Sequence, residues 1–371
     1  MSDMQKKVQE ALDGLVESGA ELGLQAAVYV DGELVVDAVA GVADAAEDRA
    51  VTSDTPFYSA STGKGVTATV VHVLVERGLF GYDTPIAELW PEFAANGKAG
   101  ITVRHALTHS AGVPGMPSDV THGDLADWDK MCAELAASEP WWEPGAETGY
   151  HAFTYGWLLG ETVRRATGKP ISQVLREEVA GPLGVADELY FGVPEAALGR
   201  LARLEDAPMD PNAFGSFPAD LPLFKASPPQ VMPSADYANR AEILTADIPA
   251  GGTMSARAVA RMYAALLGEV DGVRLISEER LREVSSVAIE GVDQVFGMPT
   301  AWGLGYSIGR PGTDPKETGH VFGAVGMGGS AGYADTNAKV TFALTKNRFN
   351  PADASAVEQV GAIVAEAVAA R

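Results

Sequence analysis

The chain has 371 residues, enough for one large or two modest domains with a substantial core. Hydrophobic residues make up 46% of it, an ordinary globular composition, while 27 Lys+Arg against 50 Asp+Glu leave a net charge of −23. That acidic excess argues against nucleic acid or an anionic membrane as partner, since both select a basic footprint; its simplest meaning is solubility.

The N-terminal stretch Met1 to Lys7 leads into an amphipathic pattern (Val8, Leu12, Leu15, Val16) and has no signal-peptide apolar core, so a cytoplasmic location is expected. No run is long enough to cross a bilayer, and no membrane partner is expected. Residues 24–30, the dipeptide Asp31-Gly32 and residues 33–41 read as a hairpin, because Asp-Gly between apolar runs favours a two-residue turn. A helix rich in valine follows from residue 66. Residues 81–242 are helix-and-loop territory, with a helix predicted over 153–167 and stopped by Gly168 and Pro170. Within that region, 205–240 holds many prolines and aromatics (Pro208, Phe217, Phe224, Pro228 among them) without periodicity, and reads as a lid or substrate wall. Residues 255–267 are helical again, and 302–308, 332–335 and 340–345 read as short strands before a final helix over 352–370. The expected fold is α+β, with an antiparallel sheet built from both chain ends (1–80 and 243–371) and flanked by helices. A mostly helical subdomain (81–242) is inserted between them, and the active site is expected at the junction.

Cys132 is alone, which excludes an internal disulfide, and the six histidines show no metal-ligand spacing. No metal and no cofactor are expected. The chemistry concentrates instead in Phe57-Tyr58-Ser59-Ala60-Ser61-Thr62-Gly63-Lys64. Residues at i and i+3 share a helix face, so Ser61 Oγ and Lys64 Nζ can converge at a helix start. A serine hydroxyl needs a base to become a nucleophile, and a lysine whose ammonium is disfavoured by burial can be that base. The helix N-terminus adds free N–H groups for a developing oxyanion.

The order of Ser61-x-x-Lys64, Leu107 to Pro114, Pro144-Gly145 with Tyr150-His151-Ala152, Trp302 to Tyr306, and Phe322 to Ser330 resembles the serine β-lactamase-like superfamily. Within it the pattern is similar to the class C β-lactamase-related esterases (family VIII carboxylesterases) and their acyltransferase relatives, over residues 10–365. The resemblance implies that Ser61 is acylated, Lys64 takes its proton, and Tyr150 relays a proton to the leaving group, with the Lys64 ammonium lowering the tyrosine pKa. It also implies an oxyanion hole made by the N–H groups of Ser61 and Met327.

Two departures shape the expected substrate. The third motif, Lys-Thr-Gly in β-lactamases, is here Ala324-Val325-Gly326, and the second motif ends in Ala152 where an amide side chain is usual. Both substrate-gripping groups are lost while the acylation residues stay, which favours an ester with an apolar acyl or alcohol part. Candidate substrate contacts are His151, Trp141, Val325, Gly326 and Phe217; for His151, packing is the preferred reading. An acyltransferase with the same Ser-Lys-Tyr centre is the alternative. A β-lactamase or D,D-peptidase, and a catalytically idle binding protein on the same fold, are the remaining competitors. Lys316 to His320 superficially echoes the third motif and reads as a loop. Gly328 to Gly332 fits a Gly-x-Ser-x-Gly elbow, but no histidine lies beyond His320, so that reading is rejected. His109 and Ser110 are expected to buttress the Ser-Lys helix.

Overall fold

A computed structural model describes residues 2–208, 221–310, 318–351 and 353–370. Its main element is a nine-stranded sheet. From the N-terminal part come β1 (Gly23–Val30), β2 (Glu33–Asp44) and β3 (Arg49–Ala50). The C-terminal part supplies β4 (Ile289–Val292), β5 (Pro299–Trp302), β6 (Ser307–Ile308), β7 (Val321–Val325), β8 (Ala331–Asp335) and β9 (Val340–Lys346). The strand order is β3-β2-β1-β9-β8-β7-β6-β5-β4, so the two chain ends meet where β1 pairs antiparallel with β9, from Leu24 opposite Lys346 to Val30 opposite Val340. Asp31 and Gly32 both have positive φ (50° and 86°), the requirement of the tight turn that joins β1 to β2.

All eight residues of β1 are buried, because both faces of the sheet are covered. Leu24, Ala26, Val28 and Val30 face the N-terminal helix (Ser2–Glu17) and the C-terminal helix (Ser355–Ala369), while Ala27 and Tyr29 point into the larger core on the other side. This is the period-2 alternation of a strand, hidden in the sequence by apolar residues on both faces. On the larger-core side the helix Ala256–Leu267 lies against the sheet, tied by Thr341 Oγ1 donating to the Ala260 carbonyl at 2.8 Å.

The helix Gly63–Glu76 is buried from Gly63 to Val75, the signature of a helix wrapped on all sides. It packs against the helix Thr154–Thr167, which ends at Gly168 in the left-handed region as the sequence predicts. A small three-stranded sheet (57–58, 253–254, 189–190) frames the approach to Gly63. Residues 302–308, expected as one strand, instead form the end of β5 and β6 with a reversal between them, Trp302 pairing with Ser307. Gly305, at φ 83°, makes that reversal possible. Residues 221–238 contain two short helices, Pro222–Ala226 and Ala235–Ala238, where the sequence shows only Pro-rich irregularity. Among the described residues no helix is long and apolar enough to cross a membrane.

Candidate active site

Ser61 sits one step earlier than expected. It lies in a 3₁₀ turn (Ala60–Thr62) that runs into the helix Gly63–Glu76, rather than on that helix's first turn. Ala60 has φ 43°, a strained value for a residue with a Cβ, and the strain is held by bonds on either side. Ser59 N–H donates to the Gly252 carbonyl at 2.8 Å, and Thr62 Oγ1 donates to the Ser330 carbonyl at 3.0 Å.

Lys64 is 3% exposed. Its Nζ donates to Ser61 Oγ at 3.1 Å, to the Ala152 carbonyl at 2.7 Å and to the Ala250 carbonyl at 2.9 Å. Among the described residues no carboxylate pairs with it, and burial alone pulls its pKa from 10.5 down to about 7. Three neutral acceptors suit either protonation state. A neutral amine keeps two N–H bonds to the carbonyls and turns its lone pair to the Ser61 hydroxyl.

Tyr150 completes a three-residue cluster. Lys64 Nζ stands 4.8 Å from its ring centroid, and Ser61 lies near enough to the phenol to act on its pKa. Burial pushes the phenol above its usual range, the neighbouring Ser61 hydroxyl opposes this, and the Asp293 carboxylate adds to it. The expectation that the Lys64 ammonium lowers this tyrosine is therefore corrected: desolvation depletes the lysine's own charge and dominates the phenol as well. The resting pair is a lysine poised near neutrality and a protonated tyrosine.

The end of β7 closes the other side. A Cβ on Gly326 would lie 2.1 Å from the Ser59 carbonyl oxygen and 2.8 Å from Thr62 Oγ1, so only glycine lets this strand meet the serine turn. Ala324 turns inward toward Gly65, whereas Val325 is 41% exposed at the rim. Ser330, the serine of the rejected elbow, leads into strand β8 and spends its carbonyl on Thr62 and Gly326. Lys316 and Glu317 lie outside the described residues, and so does Phe217.

His151, expected as a possible substrate contact, is turned into the protein and is fully buried. Its Nδ1 bonds the Gly149 carbonyl at 2.7 Å and its Nε2 accepts from Val113 N–H at 3.1 Å, leaving no nitrogen for a ligand. Trp141 is 39% exposed and forms one wall of a cavity of about 440 Å³ with Met116, Met131, Leu135 and Trp157. A second cavity, about 870 Å³, is bordered by Met327 and lined by Met116, Phe224, Pro228, Met232 and Phe349. Several of these belong to the Pro-rich stretch read as a wall. Three aromatic rings neighbour Tyr150: His109 and Trp302, from the motif segments, at 4.7 and 5.9 Å between ring centroids, and Phe296, which carries no signal in the sequence, at 5.4 Å. Phe296 lies in the turn between β4 and β5, brought there by the sheet and by Gln294 N–H donating to the Thr148 carbonyl at 2.9 Å.

A serine on a turn strained at Ala60, a desolvated lysine bonded to it and a protonated tyrosine beside them make up the equipment of a serine acyl-transferring enzyme. The comparisons agree. The Beta-lactamase family model matches residues 8–366. Esterase/beta-lactamase LipL of Mycobacterium tuberculosis is 39% identical over 340 residues, 87% of this chain and 76% of that protein. Among solved structures, a family VIII carboxylesterase is similar with a TM-score of 0.87 at 34% identity, covering 98% of this chain and 97% of its own. A penicillin-binding protein homolog from Caulobacter crescentus gives a TM-score of 0.85 at 32% identity, covering 98% and 97%. The fold is thus of the β-lactamase/transpeptidase type. The chain belongs to the beta-lactamase family and is a serine hydrolase.

Proposed function

We propose that this enzyme is a carboxylesterase working through an acyl-enzyme on Ser61. The observation that carries the reading is the 3.1 Å bond between Lys64 Nζ and Ser61 Oγ around a lysine drawn down to about 7 by burial. Neutral Lys64 takes the hydroxyl proton as Oγ bonds the ester carbonyl carbon. The oxyanion is held by the N–H groups of Ser61 and Met327. Tyr150, still a phenol, gives a proton to the departing alkoxide; water then attacks the acyl-enzyme, and Lys64 and Tyr150 recover their starting states.

Two features support an ester over a β-lactam or peptide. Ala152 and the Ala324-Val325 pair offer no amide or cation to hold a substrate amide or carboxylate. The cavities bordered by Met327 and Trp141 are mostly apolar and suit a bulky acyl or alcohol part. Segments 1–80 and 243–371 are taken as the sheet domain and 81–242 as the helical subdomain, with the serine at their junction.

The test is turnover of p-nitrophenyl esters of increasing chain length and of nitrocefin, for the enzyme and for Ser61→Ala, with the mass of the acylated protein followed in parallel. Ester release that vanishes in Ser61→Ala, with a matching mass adduct in the parent, is the expected result. Nitrocefin turnover equal to ester turnover would overturn the substrate class. A burst followed by slow release, relieved by an added alcohol or amine, would make the enzyme an acyltransferase.

A further inference from the structure

The segment that follows Leu107 is a template for the turn carrying Tyr150. Thr148 Oγ1 donates to the Thr108 carbonyl at 3.1 Å, Gly149 N–H to the His109 carbonyl at 3.0 Å, and Gly145 N–H to the Ser110 carbonyl at 2.9 Å. Trp141 N–H reaches the Gly112 carbonyl at 2.7 Å. The carbonyls of His109 and Ser110, expected to brace the Ser-Lys helix, are spent on residues 141–151, while the Ser110 hydroxyl bonds Thr108 Oγ1 at 2.9 Å.

Within this template one side chain stands out. His109 Nδ1 accepts from the His151 N–H at 3.0 Å, while its own carbonyl holds Gly149 N–H. The two residues on either side of Tyr150 are thus bonded to a single residue. Its ring completes the grip: centroids lie 4.7 Å from Tyr150, 4.9 Å from Tyr155 in a stacked arrangement, and 4.5 Å from Trp302. Because Nδ1 is an acceptor, the proton of the neutral ring sits on Nε2, which is buried with no hydrogen-bond partner among the described residues. Burial and the neighbouring His151 and Lys64 hold the imidazole well below its ordinary range, so the acceptor stays available. His109 does this with φ 56°, a backbone value that costs free energy and persists only where the surroundings enforce it.

We infer that His109 is a positioning residue for the reaction: it fixes the Tyr150 hydroxyl against Ser61 through the His151 N–H bond and the ring contact. It touches neither substrate nor the reacting atoms. The inference rests on the acyl-enzyme reading, because the position of Tyr150 matters only if Tyr150 relays the proton. A displacement of about 1 Å at such a centre costs on the order of 10²-fold in rate.

The experiment compares His109→Ala, His109→Phe and His109→Asn with the parent. Acylation rate and KM are measured on a p-nitrophenyl ester, and the Tyr150 resonance is followed in protein labelled at tyrosine Cζ, assigned with Tyr150→Phe. Thermal unfolding confirms that each variant is folded. His109→Ala should lose on the order of 10²-fold in acylation with KM within about twofold, and its Tyr150 resonance should shift and broaden. His109→Phe, which keeps a ring but no acceptor, should also lose rate. His109→Asn restores an acceptor, tolerates positive φ, and should recover most of it. Folded His109→Ala with unchanged rate and resonance, a loss confined to KM, or His109→Asn no better than His109→Ala would each overturn the inference. If the parent turns over no ester, the acyl-enzyme reading fails, while the resonance still reports whether His109 fixes Tyr150.

Discussion

The lysine at the centre of the site gives the sharpest prediction, because its displaced pKa must appear in stability as well as in rate. Replacing Lys64 by Met removes the titrating group and keeps most of its volume. The drop from 10.5 to about 7 corresponds to about 5 kcal/mol at ~1.4 kcal/mol per pH unit, all of it from burial. The sign follows from proton counting. Between about pH 7 and pH 10.5 the unfolded chain holds a proton on this lysine that the folded one has lost, so stability rises with pH. Below pH 7 both states are protonated and the penalty for the buried ammonium is constant. From about pH 6.5 to about pH 9 the parent should therefore gain about 2.5 kcal/mol relative to Lys64→Met. The Ala152 and Ala250 carbonyls that lose their donor shift the variant by an amount independent of pH, so only the slope is diagnostic. Denaturant unfolding of both proteins across that range measures it. In parallel, the parent's acylation rate should rise about tenfold per pH unit below pH 7 and level off above it. Parallel stability curves, or a rate plateau reached only above about pH 9, would refute the reasoning.

Two further predictions concern the turn around Ser61 and a buried ion pair beside the loop after Met327. Gly326→Ala forces a Cβ to 2.1 Å from the Ser59 carbonyl, so the serine turn must move; kcat/KM for an ester should fall on the order of 10²-fold, with ~1–3 kcal/mol lost in denaturant unfolding. Lys346 and Glu21 form an ion pair whose side chains are each 1% exposed, next to Gly329 in the loop after Met327. Glu21→Ala strands the lysine charge and should cost about 3–5 kcal/mol, whereas the double variant Glu21→Leu with Lys346→Met should recover most of it by the same unfolding measurement.

Some of this was legible along the chain because it depends on local rules. The Asp31-Gly32 turn, the helix stopped at Gly168, and the i, i+3 placement of Ser61 and Lys64 all follow from backbone preferences and spacing that need no distant partner. The order of motifs carried the family, since each motif keeps its place whatever the fold does between them. Tertiary structure decided what depends on residues far apart in sequence. The state of Lys64 is set by Ala152 and Ala250 and by the packing that excludes water. Sequence spacing cannot supply a dielectric, so the charge expected to lower Tyr150 was the part that failed. His151 and His109 look alike as lone histidines beside motif residues. Only the bonds from Val113 to one, and from His151 to the other, separate a packing residue from one that fixes the tyrosine. Phe296 reaches Tyr150 through a hairpin added at the edge of a nine-stranded sheet, a pairing with no local signature.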